Sequence, residues 1–148
     1  MFLLDMMTYI DTNSATYTAG TNLFAAKMPE YDPGVVAHEV CTIYEYQGRF
    51  PLETMGVRDS IIVLPHLQVC VRSAPSNPVQ TGYSATAYYD ASLRITALRT
   101  ILATLSNATV NSTLYLRAEP LGTPFVQQLD KTDRYHLVCN FAVWQVNA

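Results

Sequence analysis

The chain has 148 residues, a length that suits one domain built around a single hydrophobic core. Nine Lys and Arg against twelve Asp and Glu give a formal net charge of -3, which argues against a basic surface for binding nucleic-acid backbones. Charged residues make up only 14% of the chain, below the roughly 25% typical of soluble domains, so we expect partner proteins to cover part of its surface.

The N-terminal third predicts one helix and two strands. Apolar residues recur at helical spacing in residues 1–12, with Asp5 outside the apolar stripe. This segment lacks the basic start of a secretory signal, so we interpret it as a helix of the mature protein. Residues 23–28 predict a short edge strand that Pro29 ends, and residues 35–46 predict a strand rich in β-branched and aromatic side chains.

The middle of the chain predicts a charged loop, a strand and a long helix. Glycine and proline separate charged side chains in residues 47–59, which we interpret as a surface loop. Residues 61–72 predict a strand, in which Pro65 indicates a bulge or an edge position. After a proline-rich loop at residues 73–81, apolar side chains recur at three- and four-residue steps in residues 84–105. This spacing predicts a helix that covers the sheet.

The C-terminal third predicts two further strands. Residues 110–118 alternate apolar and polar side chains, and residues 135–146 form a strand long enough to pair with two neighbours. A polar turn at residues 130–133 leads into the second of them. The order of elements predicts an α+β fold, with a mixed, mostly antiparallel sheet and an N-terminal helix and one long helix packed on one face. We expect residues 1–148 to form one domain.

Each of the three histidines lies near a cysteine, which raises the question of a metal site. The pairs are His38 with Cys41, His66 with Cys70, and His136 with Cys139. Alternate side chains of a strand point to opposite faces, so only the four-residue spacing of His66 and Cys70 keeps both partners on one face. We therefore expect no bound metal and no other cofactor. Three cysteines at wide spacing favour reduced thiols over a disulfide framework.

The sequence contains no motif typical of catalysis or nucleotide binding. No Ser, Cys or Thr lies in a recognisable nucleophile motif, and the isolated glycines form no phosphate-binding loop. We therefore expect a structural protein rather than an enzyme. Two alternatives are a small metal-dependent or acid-base enzyme that uses His66, Cys70 and nearby carboxylates, and a monomeric α+β module that binds a ligand.

Several short motifs resemble the minor capsid, or tail terminator, proteins of long-tailed bacteriophages. Residues 65–72, PHLQVCVR, followed by YYDA at residues 88–91, are similar to that family's strand and covering helix. Residues 129–141, LDKTDRYHLVCNF, are similar to its acidic turn, arginine and C-terminal strand with Asn-Phe. Residues 22–29 and 44–48 also fit, so the resemblance spans most of the chain.

The resemblance implies an α+β structural protein without catalytic residues. Members of the family form a ring, commonly a hexamer, that caps the completed tail tube, stops its growth and joins it to the head or neck. The implied partners are further copies of the chain, the tail tube protein and a head-completion or neck protein, with DNA only passing through the lumen and no membrane. The implied location is the head-proximal end of the tail in the virion, and the host cytoplasm during assembly. A head-tail connector, or neck, subunit is the nearest alternative.

We expect the assembly surface in the loops at residues 47–59 and 73–81 and in the turn at residues 130–134, because exposed loops on a rigid sheet concentrate partner contacts. The ten tyrosines are consistent with such surfaces, since tyrosine is enriched in protein interfaces. The candidate interface residues are Tyr46, Arg49, Glu53, Arg58, Arg72, Asp130, Asp133 and Arg134.

Overall fold

The computed structural model describes residues 1–54 and 57–147, and the side chains of residues 47–61 and 147 lie outside this description. Within the described residues, two helices and seven strands follow one another along the chain. They are α1 (Phe2–Asn13), β1 (Leu23–Ala25), β2 (Val40–Thr54), β3 (Val57–Pro75), α2 (Ala87–Ala103), β4 (Ser106–Val110), β5 (Thr113–Pro120), β6 (Phe125–Leu129) and β7 (Arg134–Asn147).

The seven described strands form one sheet in the order β1-β2-β3-β7-β5-β4, with β6 also paired to β7. β1 is parallel to β2, and every other described pair is antiparallel. β5 and β6 run along the same side of β7, where Pro120 pairs with Phe141 and Phe125 pairs with Val138. Together they act as one strand interrupted at residues 121–124. The predicted mixed, mostly antiparallel sheet is confirmed.

Both helices pack against the same face of the sheet and share one hydrophobic core with it. α1 contributes Phe2, Met6 and Ile10, and α2 contributes an apolar stripe that includes Ile95 and Leu98. The sheet contributes every second residue of its central strands, namely Leu67, Val69, Val71, Leu137, Cys139 and Phe141. Each fully buried side chain of this size stabilises the fold by about 1.5–3 kcal/mol, so the helical face of the sheet holds the domain together.

Asp5 is buried in α1, with 1% of its surface exposed, although the sequence predicted it outside the apolar stripe. Its carboxylate accepts hydrogen bonds from Tyr115 Oη at 2.6 Å and from Asn111 Nδ2 at 3.0 Å. The prediction was wrong because a carboxylate can lie in a core where protein donors replace water. Burial and the bond to Asp5 raise the pKa of Tyr115, so the phenol stays protonated and joins β5 to α1.

β2 and β3 form a longer hairpin than the sequence predicted. In the segment 47–59, expected as a loop, residues 47–54 and 57–59 instead continue both strands, so that Thr54 of β2 pairs with Val57 of β3, while residues 55 and 56 lie outside the described residues. We call residues 46–54 and 57–60 the hairpin arm, in which the β2–β3 register shifts begin after the pair of Tyr46 with His66. The loop prediction was wrong because glycine and proline in this segment interrupt the regular pairing without ending the strands.

Pro65 lies inside β3, between β2 and β7, so its predicted edge position is wrong and its predicted bulge is confirmed. The β2–β3 register shifts between the pair of Tyr46 with His66 and the pair of Arg49 with Leu64, which are the pairs on either side of Pro65. Proline has no N–H to donate, so regular pairing opposite it cannot continue.

The remaining boundaries differ in ways that turn geometry explains. β1 ends at Ala25 because Ala26 has a φ of +67° and turns the chain. The strand predicted at residues 110–118 begins only at Thr113, because Asn111 and Ser112 have φ values of +46° and +73° and form a two-residue hairpin turn between β4, which ends at Val110, and β5. Such turns usually carry glycine, which explains why this one was not predicted.

Candidate functional site

The candidate interface residues whose side chains are described lie in two groups along the sheet. Tyr46 pairs with His66 on the face without helices, and their rings meet edge-on at 5.0 Å between centroids. Arg72 lies six residues further along β3, roughly 20 Å away at strand spacing, beside the turn that holds the other group. That group is Asp130, Asp133 and Arg134. The side chains of Arg49, Glu53 and Arg58 lie outside the described residues.

Arg72 holds the connection between β1 and β2 against the face of the sheet that the helices do not cover. Its guanidinium donates hydrogen bonds to the backbone carbonyls of Pro29, Ala37 and His38. Only 3% of its surface is exposed, and burial, with the nearby Arg134, lowers its pKa to about 10, so the side chain remains charged at neutral pH. These donors act within the chain, and a contact from Arg72 to a partner stays a prediction.

Asp130 organises the turn between β6 and β7. Its carboxylate accepts hydrogen bonds from the backbone N–H groups of Thr132 and Arg134, from the Thr132 hydroxyl and from His136 Nε2. Burial alone would raise the pKa of Asp130, but these donors outweigh it and hold the pKa well below its usual range. Arg134 Nε lies 3.3 Å from the same carboxylate. The turn is therefore fixed by one ionised side chain.

The loop predicted at residues 73–81 begins only at Ser76, because β3 continues to Pro75, and this loop is tied to the same turn. Asn77 Nδ2 donates to Asp133 Oδ2 at 3.0 Å, and both the backbone N–H and the hydroxyl of Ser76 donate to the Asp133 carbonyl at 2.8 Å. Asp133 has a φ of +56°, a conformation that this set of contacts supports. The structure thus brings together the second predicted loop and the predicted turn as one ordered end of the sheet.

Cys70, His136 and Asp130 form a chain of contacts that the sequence did not indicate. Cys70 Sγ lies 3.9 Å from His136 Nδ1, and His136 Nε2 lies 2.9 Å from Asp130 Oδ2. The thiol and the imidazole are diagonal neighbours on β3 and β7, because Arg72 pairs with His136 and Cys70 with Val138. Only the strand register shows this contact, since 66 positions separate the two residues in the chain.

This thiol, imidazole and carboxylate have the order of a catalytic triad but lack an active nucleophile. Cys70 is buried, and burial raises the pKa of its thiol to about 12 in spite of the nearby Arg72. Almost no thiolate forms at neutral pH, and the thiolate is the reactive species. The described residues also include no group of three or more His, Cys, Asp or Glu side chains placed to hold a metal ion. The arrangement fits a hydrogen-bonded link that joins β3, β7 and the turn.

β6 exposes apolar side chains on both faces of the sheet. All five of its residues are exposed, and three of them are apolar: Phe125, Val126 and Leu129. By pairing, Val126 and Leu129 lie on the helical face, beside Leu137 and Tyr135 of β7. α2 exposes Tyr89 and Leu93 on its outer side and half of Tyr88, whose ring meets Tyr135 of β7 edge-on. Exposed apolar and tyrosine side chains are typical of surfaces that partners cover.

Several stretches of sheet edge have no described strand partner. β6 pairs with β7, and β4 pairs with β5, on one side only. β1 pairs with β2 only at residues 41–43, so the outer edge of β2 has no described strand beside it from residue 44 to residue 54. Unpaired backbone N–H and C=O groups can accept another extended chain, so these edges are the second kind of interaction surface in the domain.

A mostly apolar groove lies between α2 and the segment after α1. It has a volume of about 330 Å³ and is lined by Tyr17, Leu93, Ala97 and Ile101 among others. The groove opens to solvent along the outer side of α2, whereas small-molecule sites enclose most of their ligand. It therefore suits the side chains of a protein partner better than an enclosed ligand.

No family model matches the chain, and no curated protein matches it. Within the described residues, no helix has both the length and the apolar character needed to cross a bilayer.

Proposed function

We propose that this protein is a structural virion protein, a tail terminator subunit that forms a ring on the tail tube and joins it to the head or neck. The observation that carries the proposal is β6, a sheet-edge strand whose five residues are all exposed and of which three are apolar. A monomer that exposes such a strand risks aggregation, so a partner is expected to cover it. The motifs at residues 65–72 and 129–141 supply the family resemblance.

The proposed subunit acts by shape and assembly rather than by chemistry. Its partners are further copies of itself, most simply six, the tail tube protein and a head-completion or neck protein. A formal net charge of -3 supports a lumen that lets DNA pass without binding it, because like charges repel. The buried thiol of Cys70 and its raised pKa favour a structural role for the contacts with His136 and Asp130.

The two exposed regions suit two different contacts of a ring subunit. The turn at residues 130–134 and the loop at residues 73–81 form one rigid end of the sheet, held by Asp130, Asp133 and Asn77. Rigid ends of this kind can bind the rim of a tube without losing conformational entropy on binding. The edges of the sheet lie to its sides, where neighbouring copies of a ring would sit.

Polymerisation of a tail tube protein from the same genome tests the proposal. Tube length is measured by light scattering and electron microscopy with the protein added during growth, and with no addition as the control. Shorter tubes whose length depends on the amount added support the terminator function. Unchanged lengths contradict it, and a complex with the portal protein instead of the tube would favour the neck alternative.

A further inference from the structure

We infer that copies of this chain join edge to edge through their sheets, with the outer edge of β6 in one copy pairing with the outer edge of β2 in the hairpin arm of the next. The inference rests on the proposed ring function and names the contact that would build the ring. It goes beyond the loops and the turn that the sequence indicated as the assembly surface.

The outer edge of β6 presents backbone groups that need a partner. The N–H of Asp130 bonds to the carbonyl of Arg134 at 3.0 Å, so strand alternation turns the N–H and C=O of Leu129 away from β7. Among the described contacts, no hydrogen bond joins the outer side of β6 to another segment. An extended chain satisfies such groups more completely than a helix or a loop can, because it matches their spacing.

The hairpin arm supplies an extended chain of sufficient length. The outer edge of β2 is without a described strand partner from residue 44 to residue 54, eleven residues that span roughly 36 Å at strand spacing. β6 has five residues and spans roughly 17 Å at the same spacing. The arm can therefore pair with all of β6.

These edges favour a second copy of the chain as their partner. The reason is that β2 and β6 lie on opposite sides of the sheet, separated by β3 and β7. Each copy then offers one edge to a neighbour on each side. Contacts between unlike surfaces repeat from copy to copy and close into a ring when the rotation allows it. The edge of β1 cannot compete, since the N–H of Leu23 bonds to the carbonyl of Thr18 and its carbonyl accepts from the N–H of Gly20.

The side chains around β6 are compatible with a covered edge. Residues 121–129, LGTPFVQQL, contain no charged residue, so pairing would bury no unpaired charge there. Pro124 precedes the strand, and a register shift between Val126 and Gln128 keeps its regular part short. Both features limit uncontrolled stacking of many copies, which is how natural sheets protect an edge that has a specific partner.

A matched pair of lysine substitutions tests the contact. Leu129 on β6 and Leu4 on α1 are 51% and 48% exposed, so Leu129→Lys and Leu4→Lys should fold equally well, which circular dichroism checks. Sedimentation over a wide concentration range then measures self-association. We expect Leu129→Lys to weaken self-association by about tenfold or more, because burying a charge without a partner is costly, and Leu4→Lys to leave it unchanged. The opposite pattern, or a wild-type chain that stays monomeric at every concentration, would overturn the inference.

A second pair of variants separates backbone pairing from side-chain contact. Leu129→Pro removes the outward N–H, whereas Leu129→Val keeps it with a β-branched side chain that suits a strand. We expect only the proline variant to lose self-association. Equal association of both variants would contradict strand pairing.

Cross-linking identifies the partner strand. The Gln127→Cys chain is mixed, under mild oxidation, with a second chain that carries one introduced cysteine in residues 46–54. Each position in that range is tested in a separate mixture. We expect disulfide dimers in such mixtures and none from the Gln127→Cys chain alone. Dimers of the Gln127→Cys chain alone would show β6 paired with β6 and overturn the assignment of the arm.

The inference and the proposed function can fail separately. If the wild-type chain stops tube growth while Leu129→Lys and Leu129→Pro act as it does, the edge contact is wrong and the terminator function stands. If these variants lose self-association but the wild-type chain leaves tubes unchanged, the edge contact stands and the terminator function is wrong.

Discussion

Asp130→Asn removes the charge from the carboxylate that organises the turn between β6 and β7. That carboxylate accepts bonds from Thr132, Arg134 and His136 and lies 3.3 Å from Arg134 Nε. Hydrogen bonds to a charged group contribute about 1.5–3 kcal/mol each, but asparagine keeps one acceptor oxygen and the turn is partly open to water. We therefore expect the free energy of unfolding to fall by about 2 kcal/mol at neutral pH, measured by urea denaturation.

The pH dependence of this loss follows from the lowered pKa of Asp130. Hydrogen bonds in the folded state lower the pKa below the unfolded value of about 3.9, so the stabilisation is complete above that value and is lost as the pH falls below it. The difference in stability between wild type and Asp130→Asn should be present at neutral pH and should shrink as the pH falls below about 4. Asp32→Asn, at an exposed carboxylate, is the control and should change little. A difference that is absent at neutral pH, or that persists in acid, would refute the reasoning.

Three further substitutions or measurements test other contacts. Tyr115→Phe removes the 2.6 Å bond to buried Asp5 and should lower the free energy of unfolding by about 2 kcal/mol in urea, whereas a change under about 0.5 kcal/mol would contradict that link. Arg72→Lys leaves backbone carbonyls without donors, because one ammonium cannot replace a planar guanidinium, so chymotrypsin should cleave residues 26–39 faster. Unchanged cleavage would contradict the clamp. The Cys70 thiol should react with a thiol reagent only as fast as the domain opens, and rapid reaction of this thiol in the folded protein would contradict its burial.

Periodicity predicted the parts of the fold in which each element buries one face. The alternation of Leu67, Val69 and Val71 with polar neighbours identified β3, and the apolar stripe of α2 identified the covering helix. β6 has no such alternation, because both of its faces are exposed. Its pairing depends on its place beside β7, which only the folded sheet provides.

The polar contacts at the end of the sheet were predictable only in part. The polar residues 130–133 predicted a turn, and the structure has one. The link from Cys70 to His136 was missed, because the histidines and cysteines were compared by their spacing along the chain. Strand register decides which side chains meet across a sheet, and a one-residue slip would have separated this pair.

Buried polar residues gave the other differences between prediction and structure. Asp5 and Arg72 are charged residues that sequence patterns place on the surface, yet each is buried among donors or acceptors from distant segments. Their partners come from β5 and from the connection between β1 and β2. Contacts of this kind depend on the complete fold, so local sequence could not indicate them.

Negative-stain microscopy of growing tail tubes, mixed with the wild-type chain or with Leu129→Lys, tests the central claim most directly. We predict a ring at one end of each tube with the wild-type chain and bare tube ends with Leu129→Lys. Bare ends with the wild-type chain would contradict the account of this protein as a ring-forming terminator.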